Sequence, residues 1–247
     1  MRQLYPNPLD AVDVFASYQP PAGPSLRLGM VTSLDGSVTD EEGWTSGLGG
    51  SADHAVFRVL RAQSDSILVG ANTIRTGRCG PHRLSAELRQ RRAGTGRPGA
   101  APIVVVTGSL RLDWRTEVFV RPEAPTLVVT SAAASRAAGT LPEQVRANLV
   151  IAGEWVVDLR AGLDALRDRG LTRLLCEGGP RLAGALVEAD AVDEICVNVA
   201  PTVLPTAAHT RLLTGVPARV ELTLTRVYEQ DQVLFLRYEV GQHAPPG

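Results

Sequence analysis

The chain has 247 residues, 44% apolar and 21% charged, with a net charge of −1. This is the composition of a soluble globular protein with a sizeable core, and it offers no electrostatic footprint for nucleic acid or for an anionic membrane. All 25 basic residues are Arg, which excludes lysine Schiff-base chemistry and a P-loop lysine. The three cysteines, Cys79, Cys176 and Cys196, have no metal-ligand spacing and no disulfide framework, so a reducing compartment is expected. Neither an export segment nor a stretch able to span a bilayer is visible, and the expectation is a cytoplasmic protein.

In chain order, residues 1–25 are rich in Pro around an apolar patch from Val12 to Tyr18. They read as an arm, packed on the body or on a second subunit, or else as a loose tail. A strand follows over 26–32, and Asp35-Gly36 then marks a turn, either a kink or a hairpin. The loop Thr45-Ser46-Gly47-Leu48-Gly49-Gly50 precedes a helix over 52–64, with Ser51 as its cap and Val56, Phe57, Val59 and Leu60 as its apolar face. A strand over 66–70 leads to a long loop over 76–101 with one helical turn near 85–92; loops of that length are usually functional or mobile.

Beyond Pro102, strands are expected at 103–107, 126–130, 148–151, 172–176 and 192–199. Helices are expected near 132–139, 158–169 and 180–188. Strands alternating with helices indicate parallel βαβ units. Residues 220–228 and 232–240 alternate in polarity and suggest an antiparallel hairpin at one edge. The expected fold is one α/β domain over 26–247, a mixed, mainly parallel sheet flanked by helices.

The stretch Leu174-Leu175-Cys176-Glu177-Gly178-Gly179-Pro180-Arg181-Leu182 carries the clearest chemical signal. An apolar strand breaks at two glycines, and Pro180 stands where a helix begins. The free N–H groups and dipole of that helix suit a phosphate, although an ordinary strand-to-helix turn would read the same. The strand-end pieces 32–36, 45–50, 70–73 and 177–181 would gather at the carboxyl edge of the sheet, where open α/β folds bind ligands. No G-x-G-x-x-G fingerprint follows a first strand. The four histidines, His54, His82, His209 and His243, form no metal spacing, so no metal is expected.

Taken in order, these pieces resemble a known family, the reductase domain of bacterial riboflavin biosynthesis, related in fold to dihydrofolate reductase. The resembling residues are Thr32-Ser33-Leu34-Asp35-Gly36, Leu60-Arg61-Ala62, Ile67 to Thr73, Glu177-Gly178-Gly179, Val192-Asp193-Glu194 and Ala200-Pro201, across roughly residues 26–240. The resemblance implies an NADPH-dependent reductase that converts the ribosyl group of 5-amino-6-(5-phosphoribosylamino)uracil to ribityl. It places Thr32, Gly47, Gly70, Thr73, Gly178, Gly179, Arg181 and Leu182 on the cofactor. Arg61, Glu177, Arg83 and a hydroxyl at Thr45 or Ser46 fall on the substrate, and Asp35 is the expected anchor and candidate proton donor. Arg111, or else Thr130 and Ser131, would meet the 2′-phosphate.

The chain also departs from that pattern. Gly29 stands where many members have Lys, and Gly77 where they have an acid, which keeps a pterin-type reductase as the rival reading. A non-catalytic nucleotide-binding protein is the reading from another class. With no H-x-E and no P-C-x-x-C, the zinc deaminase half is not expected. The partners expected are a small aminopyrimidine or pterin-like substrate, no nucleic acid, no membrane, and a second copy in a homodimer through the C-terminal strands and the arm.

Overall fold

The apolar runs pair into a single ten-stranded sheet in the computed structural model, which describes residues 1–45, 47–76, 79–97, 99–205 and 209–241. The chain runs β1 (Arg2–Tyr5), α1 (Val14–Ser17), β2 (Ser25–Ser33), α2 (Gly50–Gln63), β3 (Ser66–Gly70), α3 (Ala71–Arg75) and α4 (Ala86–Gly94). It continues through β4 (Ile103–Val106), α5 (Glu117–Val120), β5 (Leu127–Thr130), α6 (Ala132–Ala137), α7 (Glu143–Arg146), β6 (Leu149–Ile151) and α8 (Leu159–Arg167). It ends with β7 (Arg173–Cys176), α9 (Pro180–Glu188), β8 (Glu194–Ala200), β9 (Leu222–Gln230) and β10 (Val233–Val240).

The strand order is β1-β9-β10-β8-β2-β7-β3-β4-β5-β6. From β8 to β6 every pairing is parallel, and β10 pairs antiparallel with both β8 and β9. This is the mixed, mainly parallel sheet with a C-terminal hairpin that the alternation of elements implied. Parallel strands are covered on both faces, and β2 is buried at all nine positions. Leu26, Leu28, Leu68, Leu174 and Leu186 pack in one core on one face of the sheet, and Val56, Leu60, Leu175, Tyr228 and Phe235 in another. Each such side chain contributes about 1.5–3 kcal/mol on burial.

Residues 1–25 close onto the sheet of the same chain. Arg2–Tyr5 pairs antiparallel with β9, and Phe15 and Tyr18 are buried. Arg27 donates to the carbonyls of Tyr18 (2.6 Å) and Gln19 (2.7 Å) while pairing with Glu194, which Arg237 also clasps.

Two local expectations are corrected and one open alternative is narrowed. Ser51 does not cap α2: Gly49 occupies the cap and no side chain bonds there. After β2, where a kink or a hairpin is expected, the chain makes a tight turn, with Ser33 N–H donating to the Ser37 carbonyl (2.8 Å) and Gly36 at φ +96°. The segment near 85–92 is a nine-residue helix capped by the Ser85 hydroxyl. Arg92 fixes α4 to the body, donating to the carbonyls of Ala62 (2.9 Å) and Gly99 (2.9 Å).

Candidate active site

The chain leaves β2, forms α2 and returns as β3, but β7 lies between those two strands. The carboxyl ends of β2, β7 and β3 therefore open a crevice at the point where strand order switches. A cavity of about 760 Å³ occupies it, floored by Gly29, Met30 and Val31 of β2 and walled by α2, the loop at Gly43 to Thr45, and Gly179-Pro180. Gly29 lets α2 lie against the sheet. A Cβ there would stand 3.2 Å from Leu175 Cδ1 and 3.4 Å from Leu60 Cδ1 and Phe57 Cε1.

On the β7 side the chain turns through Glu177-Gly178-Gly179, with a cis Gly178-Gly179 peptide, and Pro180 takes the first turn of α9. Gly178 has φ +90°, and a Cβ on it would meet Met30 Sδ at 3.1 Å, so only glycine fits. Gly70 N–H donates to the Gly178 carbonyl at 2.9 Å, which ties the end of β3 to the turn. The result is a side-chain-free cradle at the start of a nine-residue helix, and Thr73 on α3 lines the cavity beside it. These residues fit a dinucleotide pyrophosphate, because bare backbone and a helix N-terminus meet an anion at close range.

The opposite wall is one side of α2. Asp53, Phe57 and Arg61 are spaced by four, so they follow each other along the same side of the helix and span about 12 Å along its axis; all three line the cavity. Arg61 donates Nε to Glu177 Oε1 (2.5 Å) and Nη2 to Oε2 (2.7 Å), a bidentate pair that bridges α2 and the end of β7. The adjacent carboxylate holds the Arg61 proton more tightly than usual.

A second cavity of about 210 Å³ lies against the same pair, bounded by Thr73, Cys79 and His82. Burial, then the charge of Arg61, depress the His82 imidazole to about 4. Burial pushes the Cys79 thiol up to about 11. His82 is therefore neutral at pH 7, and Cys79 is a thiol.

Asp53 is 2% exposed, and burial raises its pKa above the ordinary carboxylate value. Asn198 of β8 donates to its Oδ1 at 2.7 Å. Asp35 has a different setting. Its Oδ1 accepts from the Ser33 hydroxyl (2.6 Å), and its Oδ2 accepts from Leu204 N–H (3.1 Å) and lies 2.8 Å from His209 Nε2. The Ser33 hydrogen bond, with Leu204 and His209 assisting, holds it below the usual carboxylate range.

The structure brings Arg61, Glu177, Thr73 and Gly179 to the cavity, together with Thr45. Gly178, Gly70 and the buried Leu182 stand directly behind the turn. It does not bring Asp35 to the lining; that carboxylate ties the turn after β2 to Leu204 and His209. Thr32 is buried and donates to the Ser33 carbonyl, Arg83 and Arg181 are exposed outside both cavity linings, and Gly47 abuts Asp40 rather than the cavity. Thr130 is buried, and the Ser131 hydroxyl caps α6. Ser46 lies outside the described residues.

Residues 24–236 match the family model described as the RibD C-terminal domain. The chain belongs to the RibD C-terminal domain family. Among relatives, the 2,5-diamino-6-ribosylamino-4(3H)-pyrimidinone 5′-phosphate reductase of Methanothermobacter thermautotrophicus is 30% identical over 88% of this chain and 98% of that protein. Its namesake from Archaeoglobus fulgidus is 32% identical over 72% of this chain and 80% of that protein. Among solved structures, a pyrimidine reductase-like protein from Corynebacterium diphtheriae superposes with a TM-score of 0.75 at 25% identity, covering 89% of this chain and 93% of the other. The match spans both walls of the crevice, α2 and the glycine turn. Among the described residues no His, Cys, Asp and Glu cluster suits a metal, and no helix is long and apolar enough to cross a membrane.

Sequence reasoning missed Asp53, Asn198 and Trp44. The signal for Asp53 was present: it is the one acid on a side of α2 otherwise made of Ala52, Val56 and Val59, and it precedes Arg61 at helical spacing. Asn198 sits in an apolar strand, and only the parallel pairing of β8 with β2 brings it near α2.

Proposed function

We propose that the chain is an NADPH-dependent reductase of the riboflavin-biosynthesis type, which converts the ribosyl group of a ribosylaminopyrimidine 5′-phosphate to ribityl. The uracil compound 5-amino-6-(5-phosphoribosylamino)uracil is the acceptor that the sequence resemblance implies. The two archaeal relatives are named for the 2,5-diamino counterpart. The observation that carries the reading is that one crevice holds both the glycine cradle at the start of α9 and the Arg61–Glu177 pair. A dinucleotide and a phosphorylated sugar would then face each other across β2.

When bound, the cofactor supplies the hydride. The acceptor would be the C=N or C=O carbon of the opened ribosyl group, which the crevice residues would hold toward the nicotinamide. This chain's own residues orient the two partners. Gly178 and Gly179 leave backbone free for the pyrophosphate. Arg61 presents a planar fork to the sugar phosphate or its hydroxyls, held in direction by Glu177. Phe57 and Trp44 offer ring faces to the pyrimidine and exclude water.

NADPH over NADH is supported by Arg75 and Arg111, both exposed just outside the end of β4, where Arg75 donates to the Arg111 carbonyl at 3.1 Å. Two exposed cations suit a 2′-phosphate better than the buried Thr130. On family grounds we read the protein as a homodimer working in the cytoplasm, and light scattering at low micromolar concentration tests the dimer. The function itself is tested by supplying NADPH and each ribosylaminopyrimidine phosphate and following nicotinamide oxidation together with the mass of the product. A ribityl product is the expected result; dihydrofolate turnover without it would support the pterin-type rival.

A further inference from the structure

Two carboxylates are buried among the described residues, Glu194 at 3% exposure and Asp53 at 2%. Glu194 is clasped by Arg27 and Arg237. Asp53 has no cation bonded to it, only the neutral Asn198 amide at 2.7 Å. A buried charge without a bonded counter-charge is costly; His54 and Arg61 attract the Asp53 carboxylate only from a distance, and neither bonds it. The Asn198 N–H commits Oδ1 as an acceptor, while Oδ2 has no hydrogen-bond partner among the described residues and the side chain lines the large cavity. One helical turn on, Phe57 lines the same cavity, and Arg61 lies a further turn away on the same wall.

We propose that Asp53 reads the pyrimidine by accepting hydrogen bonds from an N3–H and 2-amino pair, so that the site selects a 2-amino-4-oxopyrimidine edge over a uracil edge. An ionised carboxylate only accepts, and it matches a pair of parallel N–H donors with charge-assisted bonds. Uracil presents a carbonyl oxygen in place of the amino group, which sets acceptor against acceptor in a dry pocket. The inference rests on the reading of the chain as a reductase of this substrate class. The same edge occurs in the 2,5-diamino ribosylaminopyrimidinone phosphate and in dihydropterins.

The test compares wild type with Asp53→Asn, full chain with NADPH, using three acceptors: the 2,5-diamino compound, the uracil compound and dihydrofolate. Wild type is expected to favour the diamino over the uracil compound in kcat/KM by about 100-fold or more. The amide introduced in Asp53→Asn offers a donor beside an acceptor, so the variant shifts that ratio toward uracil by at least about tenfold; a purely structural role would lower both rates together. Equal or uracil-favouring wild-type rates, or an unchanged ratio in the variant, would overturn the inference while leaving the proposed function standing. Turnover of dihydrofolate alone, lost in Asp53→Asn, would support the inference and remove the proposed function. If no acceptor is reduced, calorimetry with 2,6-diaminopyrimidin-4-one and 6-aminouracil decides. Tighter binding of the first that disappears in the variant supports the inference, and equal or absent binding overturns it.

Discussion

Asn198 Nδ2 donates to Asp53 Oδ1 over 2.7 Å, joining the central strand β8 to the first turn of α2. This amide orients the acid without neutralising it. Burial raises the Asp53 pKa above its unfolded value, so the folded state binds the proton more readily. The sign follows: the group favours folding at low pH and opposes it as pH rises through the folded pKa. Asp53→Asn is therefore expected to stabilise the protein at pH 7, raising Tm by about 2–4 °C, while reducing activity. Calorimetric melting together with steady-state rates checks both halves; a lower Tm would mark Asp53 as a structural acid.

The Arg61–Glu177 pair is open to solvent on the Arg side, 36% against 12%, so its worth to stability is small, below about 1 kcal/mol. Its worth to substrate binding is larger. Arg61→Ala is expected to lower kcat/KM for the phosphorylated acceptor by about 10–100-fold, the value of a charge-assisted hydrogen bond, with NADPH affinity changed little. Fluorescence titration of NADPH beside the kinetics separates the two effects.

Gly178→Ala places a side chain at φ +90° and 3.1 Å from Met30 Sδ. The left-handed conformation costs an L-residue about 1–2 kcal/mol, and the displaced turn no longer presents its backbone to the cofactor. NADPH dissociation constants are expected to rise at least about tenfold, measured by the same titration. An unchanged constant would place the dinucleotide elsewhere.

His82 is depressed to about 4 by burial and neighbouring arginines, against about 6.5 when unfolded. A depressed imidazole takes its proton first in the unfolded chain, so stability is lost as pH falls from 6.5 toward 4. Between pH 7 and pH 5 the loss is on the order of 2 kcal/mol. Urea midpoints at the two pH values should fall in wild type and fall markedly less in His82→Gln.

The parallel strands were legible because their apolar runs are bounded by Gly, Pro and polar turns, and β3 was read to the residue. The glycine turn was legible as a strand-to-helix junction because an apolar strand ends at two glycines and Pro180 suits a first helical turn; its dinucleotide ligand was implied only by the resemblance. The placement of the Asp35 side chain was not. Its motif lies at the end of β2, but whether the carboxylate faces the crevice or folds back depends on Leu204 and His209, 169 and 174 residues away in the chain. Asp53 escaped for the converse reason: a helix-face acid is usually solvated, whereas this one packs against Gly49 and bonds Asn198 of a distant strand. The α4 helix was underestimated because it is almost wholly polar; Arg92, an apparent surface residue, is what holds it.

The most direct test of the account follows the transferred hydrogen. NADPH deuterated at the reactive nicotinamide position is incubated with the enzyme and the 2,5-diamino ribosylaminopyrimidinone phosphate, and the product is read by mass spectrometry and NMR. The account expects one deuterium on the former anomeric carbon of a ribityl chain, with oxidised cofactor formed in equal amount. Cofactor binding with no deuterium transferred to that carbon would contradict it.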